Sequence, residues 1–132
     1  MANTVITGRD EEEVLRTVKN LVASDMLDSL ILLYSIQNDP VEEYLCEQGL
    51  LYVIIGKPNQ LQKQTITIDN DNLLAGREAT DYLYSLGHRR IGYLGCESIY
   101  TFTFDRKTGY QLSLMQNGIT ADPDYCLEMD SL

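Results

Sequence analysis

Ser29-Leu30-Ile31-Leu32-Leu33-Tyr34-Ser35, followed by Asp39-Pro40-Val41 and then Gly49, is the stretch on which the fold turns. A strand with one wet face alternates apolar and polar residues. A nearly continuous apolar run instead predicts a strand of a parallel sheet, covered by helices on both faces. The residues after the run agree with a strand-to-helix unit. Asp39 can offer a side-chain oxygen to the unpaired N–H groups of a helix start, and Pro40 suits the first helical position. Val41, Tyr44 and Leu45 then share one face, and Gly49 supplies the left-handed stop.

The same alternation extends outward. Upstream, Asn3–Thr7 is a short β-branched run that predicts a strand, and Gly8 ends it. Asp10 with Glu13 forms a helix-start signature, and Val14, Leu15, Val18, Leu21 and Val22 recur at helical spacing. Downstream, Tyr52–Ile55 and Thr65–Ile68 predict strands separated by the polar loop Lys57-Pro58-Asn59-Gln60. Asp71 or Asn72 caps the next helix, whose Ala75, Ala79, Tyr82, Leu83 and Leu86 form the expected core face, with Gly87 as its stop. A strand over Ile91–Leu94 comes next, then a helix opening at 103–105 that carries Tyr110, Leu112 and Met115 and stops at Gly118. A final strand is expected within Tyr125–Met129.

Strands alternating with helices define an α/β fold with a mainly parallel sheet flanked by helices. In such sheets ligands gather beyond the carboxyl ends of the strands, which points to the loops 34–39, 56–60 and 95–105.

Composition narrows the function. The 132 residues suffice for one packed unit, and 20 acidic against 10 basic residues give a net charge of −10. That charge repels phosphate backbones and anionic lipid surfaces. The apolar run Leu30–Tyr34 is too short to span a bilayer, and no export signal is expected at the amino terminus. Three cysteines without a CxxC and a single histidine make no zinc site, and the thiols are expected to be buried or half-buried.

Nucleotide-cradling GxGxxG and GxxxxGK[ST], the GxSxG nucleophile turn and HExxH are all absent. Asp69-Asn70-Asp71-Asn72 resembles part of a calcium loop but lacks its central Gly and distal Glu, so helix capping is the expected role. His88, directly after Gly87, is expected to meet the free carbonyls of a helix end. Tyr100, Phe102 and Phe104 with Asp105 and Arg106 read two ways. Aromatic faces and directed donors suit a sugar-like ligand, and aromatics also anchor a loop to a core. No cofactor is expected on either reading.

Several strings in this order resemble the LacI/GalR family, whose regulatory core is similar to periplasmic sugar-binding proteins. They include Leu27-Asp28-Ser29-Leu30-Ile31-Leu32, Glu47-Gln48-Gly49, Ile55-Gly56-Lys57-Pro58, Asp69-Asn70-Asp71-Asn72 and Ala79-Thr80-Asp81-Tyr82-Leu83. The most specific are Leu86-Gly87-His88-Arg89-Arg90-Ile91-Gly92-Tyr93-Leu94-Gly95 and Arg106-Lys107-Thr108-Gly109-Tyr110, the family's R-x-x-G-[YFW]. The strings IGKP and DNDN point toward the maltose-operon repressor branch. Leu51 stands where the family usually has Pro.

The resemblance implies a sugar-responsive transcriptional repressor core, cytoplasmic, homodimeric and without catalysis, taking a small maltose-like sugar effector. It implies an N-terminal subdomain over 1–98 and the start of a C-terminal subdomain over 99–132. The family's DNA-binding head and first core strand and helix are expected to precede Asn3, so operator DNA would be met only through that absent head. Most of the second subdomain is expected after Leu132. Arg106 is the implied effector contact, with Asp105 and Phe104 beside it. Two other classes compete: a periplasmic-type sugar-binding protein with the same fold, and an α/β enzyme with an acidic site.

Overall fold

The computed structural model describes residues 4–60 and 62–129. They form two compact units, one gathering residues up to Tyr34 with Asn38–Ile68, the other Ser35–Gln37 with Asp69 onward.

The first unit begins with helix α1 (Glu11–Ala23), started as the sequence predicts. Asp10 Oδ1 accepts from the Glu13 amide at 2.8 Å, and the Glu13 carboxylate accepts from the Arg9 amide at 2.9 Å. Strand β1 (Ser29–Leu32), helix α2 (Pro40–Gln48) and strands β2 (Leu51–Ile55) and β3 (Thr65–Ile68) complete it. The sheet order is β1-β2-β3, all parallel, with Leu32 opposite Ile54 and Val53 opposite Ile66. Gly49 ends α2 at φ 65°, a backbone conformation that carries no Cβ penalty only in glycine.

Val18, Leu32, Val41, Leu45, Tyr52 and Ile54 form the core of this unit, so both helices pack on one face of the sheet. The other face differs from expectation. Ile31 is 63% exposed, and Leu51, Ile55, Ile66 and Ile68 are also exposed. The apolar run of β1 predicts cover on both faces; among the described residues of this unit it is covered on one. The predicted strand at Asn3–Thr7 does not form over its described residues Thr4–Thr7, and Asn3 lies outside them. Val5 is in solvent at 85% exposure, and β propensity by itself does not make a ladder.

The second unit comprises helix α3 (Asn72–Ser85), strand β4 (Tyr93–Gly95), helix α4 (Thr101–Gln116), a 3₁₀ turn (Pro123–Tyr125) and strand β5 (Cys126–Glu128), which pairs in parallel with β4. The subdomain boundary expected after residue 98 falls inside this unit, because α3 packs against α4 and β4 lies with them.

The packing of α3 also corrects the predicted core face. Ala75, Ala79, Tyr82, Leu83 and Leu86 are exposed, and Asn72 and Thr80 are the buried residues. Two glycines explain the choice. A Cβ on Gly76 would stand 2.2 Å from the Arg106 carbonyl oxygen, and one on Gly109 would stand 2.0 Å from that of Leu73. The helices cross backbone to backbone, so the small and polar side of α3 is the side that fits. Across the same interface Asp81 Oδ1 accepts from Ser113 Oγ at 2.6 Å and Asn117 Nδ2 at 3.1 Å.

Smaller differences arise from local contacts. The strand expected over Ile91–Leu94 starts at Tyr93, because Ile91 turns into the core with Tyr110 and Leu114. Helix α4 opens at Thr101, before the expected 103–105. Near the end of α3 the Tyr84 carbonyl accepts from the Gly87 amide at 2.9 Å and from Arg89 Nη1 at 3.0 Å, and the His88 side chain stays exposed. Cys46 and Cys126 are half-buried, whereas Cys96 is exposed.

Candidate functional site

Arg106 lies in the second turn of α4, and the helix decides its neighbours. At 3.6 residues per turn, residues four apart share a face and residues two apart oppose one another. Phe102 therefore sits under Arg106, with the guanidinium carbon 5.0 Å from its ring centroid. Phe104 points elsewhere and is 57% exposed. Asp105 is half-buried. The expected trio Arg106, Asp105 and Phe104 thus does not form one wall; the helix turns Phe104 away from Arg106.

What the fold does bring to Arg106 is Asn72, the first residue of α3. Arg106 Nε donates to Asn72 Oδ1 at 2.9 Å, and Asn72 is 5% exposed. Asn72 is itself fixed, since its Nδ2 donates to Asp69 Oδ1 and to the Asn70 carbonyl, both at 3.1 Å. Asp71 Oδ1 caps α3 by accepting from the Leu74 amide at 2.8 Å. The acidic run DNDN is thus occupied with capping and with holding an amide that orients Arg106.

On the other side Phe102 stacks on Tyr100, with centroids 5.5 Å apart and planes 24° apart. The residues leading into α4 are stitched to Ser35–Gln37. The Gln37 amide donates to Ile99 O at 2.9 Å, the Thr101 amide to Ser35 O at 3.3 Å, and Ile36 bridges Tyr100. Tyr100, Phe102, Arg106 and Asn72 form one continuous arrangement. Arg106 nevertheless remains exposed, and its two terminal NH₂ groups have no protein partner among the described residues. A planar cation oriented at Nε and over an aromatic ring, with terminal donors open to solvent, is suited to paired hydroxyls or a carboxylate.

The rest of the RKTGY string supports the same frame. Lys107 Nζ reaches Glu128 Oε1 at 2.6 Å, joining α4 to β5, and that hydrogen bond raises the Lys107 pKa. Tyr93 OH donates to Thr103 O at 3.1 Å. Burial pushes the Tyr93 phenol up, opposed by the charge of Arg106. Gly109 permits the helix crossing and Tyr110 OH donates to Ile91 O at 2.8 Å.

The Arg106–Asn72 bond is the contact that sequence reasoning misses. Thirty-four positions separate the two residues, and no local periodicity connects them. Phe102 is legible in principle as the residue one helical turn before Arg106, once α4 is started at Thr101. Among the described residues no group of three or more His, Cys, Asp or Glu side chains could hold a metal ion, and no helix is long and apolar enough to cross a membrane.

No protein-family model matches the chain. Individual relatives do. The HTH-type transcriptional regulator MalR of Streptococcus pneumoniae serotype 4 is 35% identical over 118 residues, 89% of this chain and 35% of its own. A LacI-type transcriptional regulator of Bacillus cereus subsp. cytotoxis superposes with a TM-score of 0.88 at 39% identity, covering 94% of this chain and 44% of that one. The transcriptional regulator CelR in complex with cellobiose superposes with a TM-score of 0.81 at 30% identity, over 94% of this chain and 38% of its own. The chain therefore spans about a third of the length of the curated relatives it matches, and each of these relatives is named as a transcriptional regulator. Nearly the whole of the described chain takes part in these likenesses, in sequence and in fold alike, and it belongs to the LacI family of HTH-type transcriptional regulators.

Proposed function

We propose that this chain is the effector-sensing core of a sugar-responsive transcriptional repressor, and that Arg106 is its hydroxyl-binding residue. The observation that carries the reading is the state of Arg106: oriented through Nε by Asn72 and through its plane by Phe102, with its terminal nitrogens open. A guanidinium already held in place loses little side-chain freedom when it binds, so its donors act as a fixed fork. Two adjacent sugar hydroxyls present matching acceptors. Asp105, next to Arg106 on the helix, is the proposed secondary contact, while Phe104 could join only through a part of the sugar that reaches the opposite side of α4, where its ring is exposed.

The cellobiose complex of CelR supports a small sugar as effector, and the maltose-like disaccharide is part of this proposal. In the proposed cytoplasmic repressor the sugar shifts a two-state equilibrium of a homodimer, and a helix-turn-helix head reads the operator. With a net charge of −10, this chain supplies the sensing and not the DNA contact.

Calorimetric titration of maltose and cellobiose into the protein and into Arg106→Ala tests this. Loss of a charge-assisted hydrogen-bonding pair costs about 1.5–3 kcal/mol, or about ten- to a hundredfold in affinity. Arg106→Lys should lose most of the same affinity, because an ammonium cannot reproduce the fork. Equal sugar affinity in Arg106→Ala would remove Arg106 from the site.

A further inference from the structure

The four described α-helices do not begin alike. Asp10, Asp39 and Asp71 each accept from an amide in the first turn of α1, α2 and α3, closing donors that every helix start leaves open. Helix α4 has no such cap. Tyr100 stands at the capping position, its side chain makes no capping hydrogen bond, and the first turn carries no acidic residue.

A distant piece of chain holds this start instead. Ser35–Gln37 follows β1 in the sequence and belongs to the second unit. Ser35 O accepts from the Thr101 amide at 3.3 Å and Ile99 O accepts from the Gln37 amide at 2.9 Å, so that Ile36 and Tyr100 form an antiparallel bridge. Side chains add to the clamp: Thr101 Oγ1 donates to Ser35 Oγ at 3.1 Å, and Gln37 Nε2 donates to Ser98 O at 3.4 Å. Ser35 and Ile36 are buried, at 2% and 3% exposure.

The direction of Phe102 depends on that start. It is the second residue of α4, and it points under Arg106 only while the first turn is helical. Helix ends fray readily when little holds them. Asn72 fixes Arg106 at Nε through one hydrogen bond, which leaves the guanidinium plane free to turn about that bond; the ring 5.0 Å away sets the plane.

We propose that Ser35–Gln37 is the positioning element of the effector site: it starts α4 in place of a side-chain cap and thereby holds the Phe102 ring against which Arg106 is oriented. The assignment rests on the reading of Arg106 as the hydroxyl-binding residue. It makes the Ser35–Thr101 hydroxyl pair a determinant of sugar affinity that acts through Phe102.

Proton NMR of the Arg106 side chain, paired with calorimetric titration of maltose and cellobiose, tests it. The ring current of Phe102 moves the Arg106 δ-methylene and Nε–H protons upfield, and Phe102→Leu supplies the values without a ring. Thr101→Val removes one hydroxyl with little change of volume. It should move the Arg106 shifts toward the Phe102→Leu values and weaken sugar binding about three- to tenfold, the scale of one hydrogen bond. Ser35→Ala removes the same bond from the other side, and the double variant should lose no more than either single one. Thr101→Ser keeps the hydroxyl and should restore both readouts. A fold that is merely less stable keeps the ring-current shift, so the first readout separates positioning from stability. Arg106 shifts unchanged in both Thr101→Val and Ser35→Ala would overturn the clamp, with or without sugar binding. Shifts that moved while sugar affinity held would instead overturn the reading of Arg106 on which the proposal rests.

Discussion

Replacing Gly109 by Ala should separate α3 from α4 and disable the Arg106 arrangement together. The added Cβ would stand 2.0 Å from Leu73 O, 2.8 Å from Arg77 N and 3.0 Å from Leu73 C, all backbone atoms that no rotamer change can move. Ordinary contact begins at 3.4 Å, so α3 must retreat by about 1.4 Å (3.4 − 2.0) at this point. A retreat of that size exceeds what the 2.9 Å Arg106–Asn72 bond and the 2.6 Å Ser113–Asp81 bond tolerate. Overpacking of this kind costs about 1–3 kcal/mol. Against this, Ala favours the helix over Gly by about 1 kcal/mol. The expected net loss is about 1–2 kcal/mol.

Urea unfolding of Gly109→Ala, monitored by circular dichroism and by tyrosine fluorescence, would measure it. Gly92→Ala is the control, because its Cβ would meet only Tyr125 O at 3.4 Å. If Gly109→Ala unfolded within about 0.5 kcal/mol of that control, a level expected of harmless surface changes, the crossing would be loose and the reasoning wrong. Sugar affinity should fall with Gly109→Ala as well, although the substituted residue touches no ligand. Retention of full affinity in a destabilised variant would show that Arg106 does not depend on the helix crossing.

Asp81 gives a prediction in acid. Its pKa is lowered chiefly by the Ser113 hydroxyl, then by Asn117 and Arg77, so the pair stabilises the fold above the unfolded value of 3.8. That contribution is lost as pH falls through the lower folded pKa. Ser113→Ala should raise the Asp81 pKa toward 3.8 in a carboxylate NMR titration, and an unmoved titration would refute the assignment. The uncovered sheet face, with Ile31 at 63% and Ile68 at 58% exposure, should make the protein self-associate. Light scattering should show mass rising with concentration, and more steeply with added salt because the net charge of −10 opposes contact at low ionic strength. Ile66→Lys should reduce it, and a monomer at all concentrations would contradict the expectation.

Local chemistry alone determined most of the elements. Asp10, Asp39 and Asp71 cap the three helices that the sequence places after them, and Gly49, Gly87 and Gly118 adopt positive φ after helices as expected. Caps and stops act through bonds within a few residues, so their signal is complete in the sequence. The strings Leu86–Gly95 and Arg106–Tyr110 likewise point to the family without any knowledge of the fold.

Tertiary structure decided which faces were buried and what Arg106 touches. The apolar pattern of α3 favours Ala75, Ala79 and Leu83 as its core side, yet Gly76 against Gly109 lets the backbones meet and selects the side with Asn72 and Thr80. Periodicity reports how much apolar surface a helix has, and not how near its neighbour can come. Asn72 acquires its role only when α3 lies across α4, and Asp39 and Glu42 share a cavity only when the loop after β2 folds back on α2. Those are contacts between distant positions, set by shape and by the pairing of buried polar groups, and a reading limited to neighbours along the chain has no access to either.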